Sequence, residues 1–317
     1  MKQGTKITIV VAVIAVLGLA VTLPRLIGMG STHGQITAGF DSEFLVRADG
    51  YPGLRETYDL EFASTPKHMD PGLMYKAVAD GAVDVICGFA TDGRIAAYEL
   101  QVLEDDKRFF PPYFAAPLVR KETAEQYPQV AAALNALGGQ IPDSTMRRLN
   151  YEVDENKRRA GEVAREFLKS RGLIGSDGPA AQGPTGTIRV GGKNFTEQEI
   201  LGEMMAMVIE DRTNIEVERR LNLGGTMICF NALEAGDLDL YAEYTGTGLV
   251  SILKRPVITD PQVAYDTVQA VFGRKYDMIW LDPLGFNNTY TLTMREGHAE
   301  ELGIETISDL ARVLRKR

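Results

Sequence analysis

Four aromatic residues stand where chemistry with a cation is easier to explain than core packing. Phe89 and Tyr244 each close a short apolar run and precede a Gly-rich turn. Tyr113 follows Pro111-Pro112, and Tyr290 follows Asn287-Asn288-Thr289. Any one ring alone reads as an ordinary core or rim aromatic. The repeated placement at strand exits beside turn residues singles out the set. A quaternary ammonium group cannot donate a hydrogen bond, so ring faces must hold it. Each contact contributes about 0.5–1 kcal/mol when exposed and about 2 kcal/mol when desolvated. Three or four rings therefore suffice for a roughly micromolar site after association costs.

Two of the rings belong to an internal echo. Residues 77–93 read AVADGAVDVICGFATDG and residues 232–248 read ALEAGDLDLYAEYTGTG. At a constant offset of 155 residues Gly81 matches Gly236, Asp84 matches Asp239 and Phe89 matches Tyr244. Each copy reads as a helix end, a Gly stop, a short strand and an aromatic at its exit. A chain that builds this corner twice suggests two similar lobes with a ligand between them.

The surrounding elements fit that reading. Asp70-Pro71 is an N-cap followed by Pro at the first helical position, opening a helix that stops near Gly81. Thr196-Glu-Gln-Glu199 and Thr306-Ile-Ser-Asp309 both have capping-box form. Strands are expected at 83–89, 187–191, 238–241, 278–281 and 290–294, and a charged amphipathic helix at 156–174. Strands alternating with helices imply α/β lobes with largely parallel sheets, whose ligands sit at strand C-termini against helix N-termini. Lys193 and Thr196 lie at such a corner, where backbone N–H groups and the helix dipole favour an anion. The Gly- and Pro-rich segment 175–186 is the one clear linker.

Composition bounds the partners. The chain has 317 residues, enough for about two domains. A net charge of −9 argues against nucleic acid or an anionic membrane surface as the main partner. Three scattered histidines and two cysteines, Cys87 and Cys229, have no metal-ligand spacing, and no cofactor is implied. Residues 7–24 carry no charge and follow Lys2 and Lys6. They read as an uncleaved transmembrane anchor or a cleaved signal over residues 1–30, with everything from about residue 30 outside the cytoplasm.

Longer runs carry a family. GGKNFTEQ at 191–198, NLGGT at 222–226, DLYAEYTGTG at 239–248 and WLDPLGFNNTY at 280–290 resemble the extracytoplasmic substrate-binding proteins of ABC importers for glycine betaine, choline and carnitine. So do DGYPGL at 49–54, MDPGLMYKA at 69–77, TDGRI at 91–95, LEDDK at 103–107 and FFPPY at 109–113. The resemblance covers nearly everything from residue 36 onward. It implies a two-lobed, type II periplasmic-binding-protein-like α/β fold that closes on ligand and hands it to a permease subunit. The order of the halves is exchanged relative to most such proteins, so the resemblance implies a circular permutation closed by the 175–186 linker. One lobe would be 106–290 and the other 34–105 plus 291–317. The cage positions fall on Tyr244, Tyr290, Phe89 and Tyr113, with Phe where most members have Tyr. Lys193, Arg47 and Thr247 would meet a ligand carboxylate. On sequence alone Arg47 reads equally as a solvated loop charge. Gln198 and Asn288 complete the candidates, though Gln198 could simply be exposed on its helix.

An enzyme is disfavoured. Gly191-Gly192-Lys193 resembles the end of a P-loop, but Asn194 replaces the Ser/Thr and no Gly precedes at the required spacing. There is no G-x-S-x-G and no His beside a Ser or Cys nucleophile. A membrane-anchored ligand-sensing ectodomain on the same fold is the other reading.

Overall fold

The computed structural model describes residues 35–175 and 183–316. The apolar stretch 7–24 and most of the linker lie outside the described residues. Residues Ile36–Arg317 form one unit that contains two five-stranded sheets. The first uses β1 (Ala38–Phe40), β2 (Lys67–His68), β3 (Val85–Phe89) and β4 (Leu100–Val102). The second uses β5 (Ala115–Arg120), β6 (Gly186–Gly191), β7 (Ile215–Arg220), β8 (Leu240–Tyr244) and β9 (Met278–Trp280). The chain then returns to the first sheet with β10 (Tyr290–Arg295). The spatial orders are β2-β1-β3-β10-β4 and β7-β6-β8-β5-β9.

The sheets are mixed rather than largely parallel. β1 runs parallel to β2 and β3, and β6 runs parallel to β7 and β8. β10 is antiparallel to both β3 and β4, and β5 is antiparallel to both β8 and β9. The reason lies in the two crossings between sheets. β5 and β10 are the first strands the chain makes after leaving one sheet for the other. Each lies between two strands that run the opposite way, the later-made β8 and β9 for β5 and the earlier-made β3 and β4 for β10.

Local sequence accounts for the helix ends. The helix Pro71–Ala79 is capped by Asp70, whose carboxylate accepts from the Gly72 N–H at 2.8 Å. The helix Ile307–Arg315 carries the expected capping box of Thr306 and Asp309. The box expected at Thr196 does not form. The helix there spans Thr196–Arg212 with Phe195 at the N-cap, and the Thr196 hydroxyl donates instead to Asp154 at 2.6 Å. The Phe195 carbonyl takes the N–H groups of Gln198 and Glu199. This helix is buried over most of its surface, from Glu197 and Gln198 through Ile200, Leu201, Met204, Met205 and Val208, and keeps one narrow polar stripe of Glu199, Glu203 and Glu210. A helix packed against protein on most sides needs only such a narrow stripe. Each such apolar side chain contributes about 1.5–3 kcal/mol on burial, so this helix anchors the second sheet. Cys87 and Cys229 are buried free thiols, as small apolar residues would be.

Candidate functional site

A cavity of about 310 Å³ opens between the sheets and is lined by Phe89, Tyr113, Tyr244 and Tyr290 together. Antiparallel pairing sets Tyr290 directly opposite Phe89 across β10 and β3, with ring centroids 5.3 Å apart. Tyr113 meets Tyr290 edge-on at 5.6 Å. Tyr244, at the exit of β8, reaches Phe89 only through a fifth ring. Phe195 stacks on Phe89 at 5.8 Å with 2° between planes, and on Tyr244 at 6.4 Å. Phe195 was not among the sequence candidates. The signal was its place in the run Lys193-Asn-Phe195, one residue before a helix on the same corner.

The charged candidates are buried and already partnered. Lys193 lies 2.6 Å from the Glu243 carboxylate, with Glu243 fully sealed from water, and it also donates to the Thr226 hydroxyl at 3.1 Å. Arg47 forks onto Asp49 at 2.9 and 2.6 Å and reaches Glu43 at 3.1 Å. The solvated-loop reading of Arg47 is therefore set aside: its side chain is 6% exposed. Arg47 also donates to Thr247 at 3.2 Å, joining segments 200 residues apart in sequence. Thr247 opens a π-helical turn, Thr247–Ile252, directly after the Tyr244 strand. Asp49 in turn accepts from the Tyr113 hydroxyl at 2.6 Å, fixing that ring.

Asp41 and Glu43, also missed in the sequence, line the same cavity. Burial raises the pKa of Asp41, against hydrogen bonds from the Phe44 and Glu43 N–H groups and Cys87. Burial also pushes Glu43 upward, but the Lys193 and Arg47 charges outweigh it and hold its carboxyl below the usual value. Glu43 bonds the Thr226 backbone and hydroxyl, linking the β1 side of the cleft to the helix Thr226–Ala235.

Gln198 stands one layer back and Asn288 at the cavity's edge. Gln198 is not in the lining and is not exposed. It donates to the Ala242 carbonyl at 2.9 Å and to the Tyr244 hydroxyl at 3.1 Å, and accepts from the Lys193 N–H. It braces the corner from behind, because the first turn of its helix faces the sheet. Asn288 borders the cavity but donates its amide to Glu197 at 2.8 Å. Among the described residues no group of His, Cys, Asp and Glu side chains is arranged to hold a metal ion, and no helix is long and apolar enough to cross a membrane.

Two apposed α/β sheets with an aromatic cavity between them define a class of cleft-type binding protein. The family model for the substrate binding domain of the ABC-type glycine betaine transport system matches residues 28–170 and 186–315, and the chain belongs to that family. It is 39% identical over 142 residues to the carnitine transport binding protein OpuCC of Listeria monocytogenes, covering 44% of this chain and 46% of that protein. It is 39% identical over 155 residues to a glycine-betaine-binding protein of Pseudomonas aeruginosa, covering 49% of each. The chain thus spans about half the length of these relatives. A solved structure of a glycine betaine/carnitine/choline ABC transporter is 41% identical over 44% of this chain and 50% of that one, with a TM-score of 0.35.

Proposed function

We propose that this chain is the extracytoplasmic solute-binding protein of an ABC importer. It takes a quaternary ammonium solute such as choline, glycine betaine or carnitine into the aromatic cavity and delivers it to a permease subunit. The observation that carries the reading is the convergence of Phe89, Tyr113, Tyr244 and Tyr290 on one cavity between two sheets. Ring faces in a desolvated site are the chemistry a trimethylammonium group requires. Family membership supports transport rather than catalysis.

The charges refine the reading. Lys193 and Arg47 would meet a ligand carboxylate only while shared with Glu243 and Asp49. A ligand without a carboxylate asks for no such sharing. In this reading 34–105 plus 291–317 form one lobe and 106–290 the other, in a type II binding-protein fold with its halves exchanged. The family match falls into two blocks that part near the 175–186 linker. Residues 7–24 would anchor the protein at the outer face of the membrane or be cleaved as a signal.

Titration calorimetry with choline, glycine betaine, carnitine and proline betaine tests the function. Saturable micromolar binding of at least one is expected, and no heat with any of them rejects the proposal. Trp280 offers a second readout. It packs against the Gly248 backbone, where an added Cβ would lie 2.8 Å from the indole, and Gly248 follows Thr247 of the cavity. Closure that moves Thr247 should change its emission.

A further inference from the structure

The carboxylate of Glu197 lies outside the aromatic cavity, fully buried, and bears on the position of three of its rings. Its Oε1 accepts from the Tyr244 hydroxyl at 2.8 Å and from the Asn288 amide at 2.8 Å. Its Oε2 accepts from the Thr91 hydroxyl at 2.5 Å and from the Asn150 amide at 3.0 Å. Tyr244 is a cavity ring. Thr91 lies two residues after Phe89, and Asn288 lies two residues before Tyr290. One carboxylate thus ties the backbone beside two rings of the first sheet to the hydroxyl of a ring from the second. Asn150 reinforces the link by donating also to the Thr91 carbonyl at 2.9 Å.

We propose that Glu197 is a positioning residue for ligand binding, a latch that registers the cavity rings and holds the two sheets together around the ligand. The proposal rests on the function proposed above. Four donors converge on a group with about four lone-pair sites, and the two amides cannot accept a proton from it. These hydrogen bonds favour the ionised form, against a burial that on balance raises the carboxyl's pKa. The negative charge accepting from the Tyr244 phenol also pushes electron density toward the ring, which strengthens its attraction for a cation. The Thr91 contact crosses between the sheets, so it forms only when they are together and contributes to the bound state.

The test measures choline affinity and dissociation rate for the wild-type protein and for Thr91→Val, Thr91→Ser and Glu197→Gln, with the melting temperature of each unliganded protein. Loss of a charge-assisted hydrogen bond should speed choline release from Thr91→Val by about tenfold or more. Thr91→Ser keeps the hydroxyl and should behave as wild type. The unliganded melting temperature of Thr91→Val should match the wild type, which a merely structural hydroxyl would not allow. Glu197→Gln places an amide donor against the Asn150 amide and should lose more affinity than Thr91→Val. If Glu197→Gln fails to fold, the Thr91 pair alone decides. Equal dissociation from wild type and Thr91→Val overturns the latch, as does a parallel fall in unliganded stability. A wild-type protein that binds no trimethylammonium compound overturns the underlying reading and the latch with it.

Discussion

Lys193 and Glu243 meet at 2.6 Å, with the Glu243 side chain sealed from water and Lys193 nearly so. Removing one partner of a buried pair leaves an uncompensated charge, at a cost of about 3–5 kcal/mol. Lys193→Met should therefore lower the denaturation midpoint strongly. The double change Lys193→Met with Glu243→Gln should recover much of that loss, and simple additivity in urea unfolding would contradict the pairing. Tyr290 has a different kind of importance. Its ring centroid lies within 5.0–5.6 Å of Phe44, Phe89 and Tyr113. Tyr290→Ala should weaken choline binding about thirtyfold, the equivalent of one desolvated cation–π contact of ~2 kcal/mol. Calorimetry on the folded variant checks it. The ring positions were legible in the sequence because strand exits beside turn residues are local features. The long-range polar contacts were not. Glu243 is 50 residues from Lys193 and no local pattern encodes that they meet; Arg47 pairs with its near neighbours Glu43 and Asp49, but its tie to the Thr247 hydroxyl spans 200 residues.

The echoed segments repeat in space what they repeat in sequence. Gly81 and Gly236 both take left-handed backbone, with φ of 75° and 80°. The carboxylate of Asp84 accepts from the Thr37 N–H at 2.9 Å, and that of Asp239 accepts from the Arg189 N–H at 2.7 Å. Each Asp thereby ties its own strand to the parallel neighbour, β1 in one sheet and β6 in the other. The arginines at the ends of the two crossing strands, Arg295 and Arg120, lie over Gly81 and Gly236. Alanine in left-handed backbone costs about 1–2 kcal/mol. Gly81→Ala and Gly236→Ala should therefore each lower stability by about that amount, in thermal melts of the separate variants. A large loss at one and none at the other would show that the corners are not equivalent. The strand and helix types were readable because Gly stops and Asp or Thr caps act within a few residues. The direction of β5 and β10 was not, since it depends on which sheet the chain enters after each crossing. The lost cap at Thr196 has the same origin: its hydroxyl goes to Asp154, which comes from a different helix.

At the scale of the whole molecule, the order of the halves matters less than the contacts that close the cleft. Gly175, where the linker begins, donates its N–H to Asp211 at 2.9 Å. Near the far end of the linker, the Pro184 carbonyl accepts from Gln129 at 2.9 Å. Both flanks are thus tied to helices of the second-sheet side. The first and last described segments belong to the other side. Residue 35 leads into β1, and Arg315 of the last helix donates to the Tyr58 and Asp59 carbonyls. If the halves are exchanged by permutation, the connection carries no binding function and can be moved. A chain recut within 176–182, with residue 317 joined to residue 35 through a short Gly/Ser linker, should fold and bind choline as the present chain does. Doubling a loop costs only about 0.6 kcal/mol, so its melting temperature should shift by only a few degrees, about what 1 kcal/mol produces in a domain of this size. The same latch contacts form in either order, because Thr91, Asn150, Glu197, Tyr244 and Asn288 all lie away from both joins. Scattering should then give the same contraction on adding choline to either chain. A recut protein that folds but neither contracts nor binds would mean that the linker shapes the cleft, and the permutation reading would fail.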